Sequence, residues 1–220
     1  MVDSQEPVRE RLRKALLLCG PLAALAYVAT DLVAAARYPG YSLRDQAVSE
    51  LFAIGAPTSA MVVPMFSVAS LLLFGFAAGI ALSARANRAL RLTGWMFAAS
   101  AIDALLLWNF FPMHMRGEAR TLTDTMHLVL GANPFVWLSL IFAAVAFRHA
   151  FRPLSIATLL LILSPAVFAF QYAPALDSGG ATPWLGLAER AAQYGYQVWQ
   201  TALALLLLRY DAPVPRRATK

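Results

Sequence analysis

Six apolar stretches, each about as long as a bilayer is thick, constrain this chain more than any other feature. They cover residues 15–36, 58–83, 90–111, 124–147, 154–172 and 187–208. A helix needs roughly 20 apolar residues to cross a hydrocarbon core about 30 Å thick. Lipid offers backbone N–H and C=O groups no partners, so a crossing segment of this length must satisfy them internally, as a helix does. The sequence thus predicts an all-α integral membrane bundle of six transmembrane helices over residues 15–208. Residues 1–14 and 209–220 are read as polar tails.

Composition agrees with that frame. Of 220 residues, 60% are hydrophobic and 14% are charged, where a soluble domain carries about a quarter charged. The spans and their connections use nearly the whole chain, which leaves room for one domain. The segment from Arg9 to Ala36 resembles a secretory leader, but its apolar run is too long and contains Asp31, so a retained first helix is expected. Cys19 is the only cysteine, which excludes an intrachain disulfide and a cysteine-based metal site.

The net charge of +6 does not point to nucleic acid, because the basic residues follow the membrane. Placing the N-terminus inside puts Arg9, Arg11, Arg13, Lys14, Arg85, Arg88, Arg91, Arg148, Arg152, Arg209, Arg216, Arg217 and Lys220 in the cytoplasm. Arg37, Arg44, Arg116, Arg120 and Arg190 then face outward. This 13 to 5 division follows the positive-inside rule and places both termini in the cytoplasm, in a cell membrane. Membrane lipid is the expected partner, with anionic headgroups reinforcing the basic side.

The first outer loop has its own pattern. Pro39-Gly40 marks a turn, Ser42 and Asp45 fit a capping box, and Leu43, Ala47, Val48, Leu51 and Phe52 recur at helical spacing. This predicts a short interfacial helix over 42–54, apolar face toward the bundle, with Ser49 and Glu50 on its polar side. Thr121 and Asp124 form a second capping box, which opens the fourth span. Asn133-Pro134 inside that span predicts a kink, and Pro165 predicts another in the fifth.

Polar residues within the spans gather toward their outer halves: Asp31, Asp103, Asn109, Asp124, His127, Glu189, Gln193, Gln197 and Gln200. Such groups are costly in lipid and face the bundle interior or water, so they predict a polar pocket opening outward and roofed by the loop helix. The residues expected to line it are Ser49, Glu50, Asp103, His127, Gln193 and Gln197. Each also has a purely structural reading. Asp124 caps a helix, His127 and the glutamines bridge helices, and Trp108 and Trp184 belong to an aromatic belt at the outer interface. His127 with Asp103 or Asp124 is the candidate catalytic set. No cofactor is predicted. Zinc is the one metal the residues suggest, with His114 and His127 as ligands beside Asp103 or Asp124, although no HExxH spacing is present.

Four short motifs, Tyr38-Pro39-Gly40-Tyr41-Ser42, Val48-Ser49-Glu50-Leu51, Phe111-Pro112 and Met126-His127-Leu128, resemble those of a large family of prokaryotic six-span membrane proteins known as a domain of unknown function. The resemblance covers nearly the whole chain and implies the six-span fold, not a reaction. Where that family often carries an acidic residue soon after Phe-Pro and a second histidine before the one matching His127, this chain has Met113-His114 and Thr123-Asp124. Three function classes fit these observations: binding or transport of a small or lipid-like ligand, a membrane-embedded hydrolase, and a structural membrane subunit.

Overall fold

The computed structural model of the chain describes residues 6–147 and 151–209. Arg148, Arg216, Arg217 and Lys220, counted above for topology, lie outside them. Among the described residues the chain is helical with no strand. Its helices are α1 (Glu6–Arg37), α2 (Ser59–Ala84), α3 (Arg88–Phe110), α4 (Leu122–Gly131), α5 (Pro134–Ala146), α6 (Arg152–Asp177) and α7 (Leu185–Arg209). A short 3-10 helix, Val48–Phe52, sits in the first connection. Four segments are long and apolar enough to cross a membrane: α1 from Pro7, α2, α3, and α4 with α5 taken together.

α1, α2, α3, α5, α6 and α7 each pack on the next, α4 lies against α3, and α7 returns to α1, so the bundle closes into a ring. Its centre is filled by Phe76, Phe97, Tyr196 and Trp199. The Phe97 and Trp199 rings lie nearly parallel at 5.9 Å, and Phe76 meets Phe97 edge-on at 4.9 Å. The periphery is apolar: Leu18, Leu22, Leu25 and Leu32 are exposed along α1. α7 follows the same inside-out plan. Leu187, Val198 and Leu205 face outward, whereas Arg190, Tyr196, Gln200 and Leu203 are buried. A helix that turns its polar stripe inward and its leucines outward is built for apolar surroundings.

Several boundaries differ from the sequence reading. α1 begins at Glu6, so most of the predicted N-terminal tail is helical. Glu10 pairs with Arg13 at 2.6 Å and with Lys14 at 3.4 Å, the spacing that supports a helix turn. Arg13 also donates to Ser83 Oγ on α2 and to the Leu207 carbonyl on α7, which anchors that first turn. The kink expected at Asn133-Pro134 is a full break. Asn133 adopts a left-handed φ of +32°, and α5 restarts with Pro134 in its first turn, where a missing N–H costs nothing. α6 runs from Arg152 to Asp177 with Pro165 and Pro174 inside it.

The predicted loop helix over 42–54 contracts to Val48–Phe52. Ser42 and Asp45 do bond to each other, with Asp45 N–H donating to Ser42 Oγ at 3.2 Å, but they close a turn. Asp45 is drawn away by Arg44 at 2.8 Å and by the Trp184 N–H at 3.1 Å, so it cannot serve a helix terminus. The predicted apolar face is real nonetheless. Val48, Leu51 and Phe52 are buried against α1 and α2 with Tyr27, Val62 and Phe66.

Candidate functional site

Three connections meet at one end of the bundle, and their backbones join. Ile54 N–H donates to the Met113 carbonyl, Gly117 N–H to Leu176, and Leu187 N–H to Arg44. Residues 38–57, 111–121 and 178–184 therefore form a roof over the helix ends that the sequence reading placed outside.

Two buried ion pairs tie this roof down. Arg190 on α7 meets Asp31 on α1 through two bonds, Nε to Oδ2 at 2.9 Å and Nη2 to Oδ1 at 2.8 Å. Tyr194 also donates to Asp31 Oδ2. The other edge of the guanidinium donates to the Leu43 and Gln46 carbonyls of the loop, both at 2.9 Å. Arg190 Nη2 also donates to the Tyr41 hydroxyl at 2.7 Å, and that hydroxyl donates to Ala47 O at 2.6 Å. Burial pushes the Tyr41 hydroxyl well above the ordinary phenol range, which keeps it a donor. One guanidinium thus fixes helix, helix and loop together.

Glu50 is the second anchor. The sequence reading placed it on a polar, solvent-facing side, but its exposure is 0%. Arg116 binds it through Nε at 2.8 Å and Nη2 at 2.6 Å, a bidentate fork. Gln46 Nε2 and Ala47 N–H complete its donors at 3.0 and 2.9 Å. The Glu50 hydrogen bonds hold the Arg116 guanidinium above its ordinary pKa. Arg116 further reaches the Gly180 carbonyl and Thr182 Oγ1, so it stitches all three connections. Glu189 accepts the Val48 N–H at 3.0 Å.

Beside this network lies an open recess of about 400 Å³, lined by Ser42, Arg44, Asp45, Gln46, Arg116, Ala181, Thr182 and Pro183. Arg44 forms a fork with Asp45 at 2.8 and 3.0 Å and stacks over Trp184 with its guanidinium carbon 5.2 Å from the ring centre. These contacts hold the Asp45 carboxyl down at about 2, Arg44 being the main cause. Charges of both signs face the recess, each already engaged by a neighbour.

The residues singled out in the sequence do not meet in one place. His127 is 7% exposed; its Nδ1 is 2.8 Å from the Phe111 carbonyl and its ring lies 5.6 Å from Phe52. Asp124 turns to His114 and not to His127. It accepts from His114 N–H at 2.7 Å, from Thr121 N–H at 2.8 Å, and lies 2.9 Å from His114 Nδ1. It thus caps α4 while clamping the preceding loop. Asp103 is buried on α3 with Oδ2 unpartnered. Gln193 and Gln197 are half-buried on α7, and Ser49 is half-buried in the loop. Gln200, one turn deeper, is buried and donates to the Gly20 carbonyl on α1 at 2.7 Å. None of Ser49, Asp103, His127, Gln193 and Gln197 lines the recess. Among the described residues no three His, Cys, Asp or Glu side chains gather as a metal site would require.

Sequence reasoning missed both arginines. Arg116 and Arg190 were counted as outer topology charges, yet each neutralises a buried carboxylate. A signal existed for Arg190: it stands next to Glu189 in a polar helix stripe, and an arginine there needs a carboxylate from another span. Trp108 is half-buried: it donates to Ser70 Oγ at 3.1 Å and packs on Phe52 and Phe66. Trp184 is exposed, as a belt residue would be.

No curated protein and no solved structure matches this chain. The family comparison does: with residues 21–206 matched by its model, the chain belongs to the family described as protein of unknown function, DUF998.

Proposed function

We propose that this is a six-span protein of the cell membrane, both termini cytoplasmic, whose outer roof recognises a small or lipid-like polar ligand. The observation that carries this reading is the recess of about 400 Å³ flanked by Arg44, Asp45 and Arg116. A cleft whose walls present guanidinium and carboxylate side by side suits a ligand bearing both charges, such as a zwitterionic lipid headgroup. The ligand's anion would compete for Arg44, and its cation for Asp45. Glu50 and Thr182 act behind the wall by fixing Arg116. The fifth and sixth spans in this reading are α6 and α7. The inward polar stripe of α7 lowers its hydropathy without hindering a crossing, because its outward face is apolar.

The hydrolase alternative draws little from this geometry, since Asp124 is committed to His114 and Thr121. The test of the binding reading is lipid retention by the purified full chain. Native mass spectrometry after titration with short-chain phosphatidylethanolamine or phosphatidylglycerol should show preferential retention of the zwitterionic lipid. Arg44→Gln should weaken retention several-fold, and Arg9→Gln should not. Equal retention by wild type and Arg44→Gln would remove the recess from consideration.

A further inference from the structure

The break between α4 and α5 faces a second group of polar atoms, within a segment long and apolar enough to cross the membrane. Asn133, at the break, donates through Nδ2 to Ser100 Oγ on α3 at 3.1 Å. Its Oδ1 is shut away from the surface and has no hydrogen-bond partner. One turn further along the same face of α3 stands Asp103, 7% exposed, whose Oδ2 is likewise shut away and unpartnered. Residues three apart on a helix have Cβ atoms about 5–6 Å apart. Helical side chains lean toward the N-terminus, so the Asp103 carboxylate leans toward Ser100. Two partnerless oxygens therefore flank one serine hydroxyl, Asn133 by its bond to Ser100 and Asp103 by its place one turn along α3. Among the described contacts, no Lys, Arg or His side chain reaches either Asp103 or Asn133.

This is an acceptor-rich site with one formal negative charge. The C-terminal end of α4 and the N-terminal start of α5 present opposite dipole ends to the break, so they largely cancel and the side chains set its polarity. Oxygen ligands select a hard cation over a soft one. A single carboxylate balances a single charge, which favours a monovalent ion over a divalent one. We propose that Asp103, Asn133 Oδ1 and Ser100 Oγ hold a sodium-class alkali cation within the membrane-crossing part of the bundle. This goes beyond the outer recess and shares no residue with it; it rests only on α3 and the α4–α5 segment crossing the membrane. A broken helix offering oxygen atoms at depth is one way a membrane protein ties ion entry to the movement of another solute.

The experiment is direct binding of radioactive sodium to the full chain in detergent at pH 8, with thermal unfolding in sodium chloride against choline chloride. Saturable binding near one ion per chain is expected, with a higher unfolding midpoint in sodium. Asp103→Asn should lower sodium affinity about tenfold or more, as loss of the only charge requires. Ser100→Ala should weaken binding by a smaller factor in a protein that still elutes as one species, and so serves if Asp103→Asn does not fold. Glu118→Gln, exposed in the second outer connection and part of neither site, should bind as wild type. Absence of saturable sodium binding, or equal binding by wild type and both site variants, overturns the proposal. So does a midpoint that responds to pH and not to sodium, because a proton on Asp103 is then the occupant. None of these outcomes bears on lipid retention at Arg44.

Discussion

Arg190 and Asp31 face each other as fork to fork, 2.8 and 2.9 Å apart, across 159 residues of sequence. Asp31 has 0% exposure, so neither solvent nor salt can stand in for its partner. Breaking such a pair from one side costs roughly 3–5 kcal/mol, because a charge is left uncompensated. Asp31→Asn and Arg190→Gln should each lower the unfolding midpoint in detergent sharply. The double variant should lose clearly less than the sum of the two. Additive losses would show that the pair carries no coupling.

Gly186 sits where α7 meets the first connection. A Cβ there would strike the Gln46 and Leu43 carbonyls and the Arg190 guanidinium. Overpacking of this kind costs about 1–3 kcal/mol, and the loop, with fewer anchors than the helix, should give way. Gly186→Ala is expected to speed tryptic cleavage after Arg44 several-fold with the helical content unchanged. An unaltered cleavage rate would mean that the roof docks independently of this approach.

Acid should loosen the recess before it loosens the bundle. Asp45 holds Arg44 and the Trp184 N–H, and its carboxyl is lowered from 3.8 to about 2 in the fold. A carboxyl depressed in this way adds stability above its ordinary value and loses it as pH falls through the folded one. Trp184 emission, isolated by difference against Trp184→Phe, should therefore change with a midpoint near 2. A midpoint near 4, or no difference in Asp45→Asn, would contradict the contact.

The proposed topology, drawn from the distribution of basic residues, is one that reporter fusions can read. Fusions after Arg91 and Arg152 should report cytoplasm, and fusions after Gly55 and Arg120 the outer side. A cytoplasmic signal at Arg120 would reverse the fourth crossing and the six-span count with it.

Helix positions were legible because length and apolarity are local properties. Each of the six stretches contains a helix, and Asn133-Pro134 marked the break in the fourth. The second capping box was equally readable: Thr121 and Asp124 behave as their spacing demands. The roof was not readable in the same way. Whether Ser42 and Asp45 open a helix depends on Arg44 and on Trp184, the latter 139 residues away. Glu50 has the spacing of a surface residue, and only Arg116, 66 residues on, makes its burial affordable. Pairing partners at such distances leave no periodicity to follow, so the convergence expected for His127, Asp103 and Gln197 rested on energetic cost alone, without geometry.

The closure of the ring has a temporal side. α1 is made first, and its Asp31 then waits for a cation that lies 159 positions later. At about 5–20 residues per second that wait is roughly 8–30 s. During it the nascent first helix holds a naked carboxylate that lipid rejects. Until α7 arrives it has to stay wet or take up a proton. A chain cut short of Arg190 never gains that partner, so for it the mismatch is permanent.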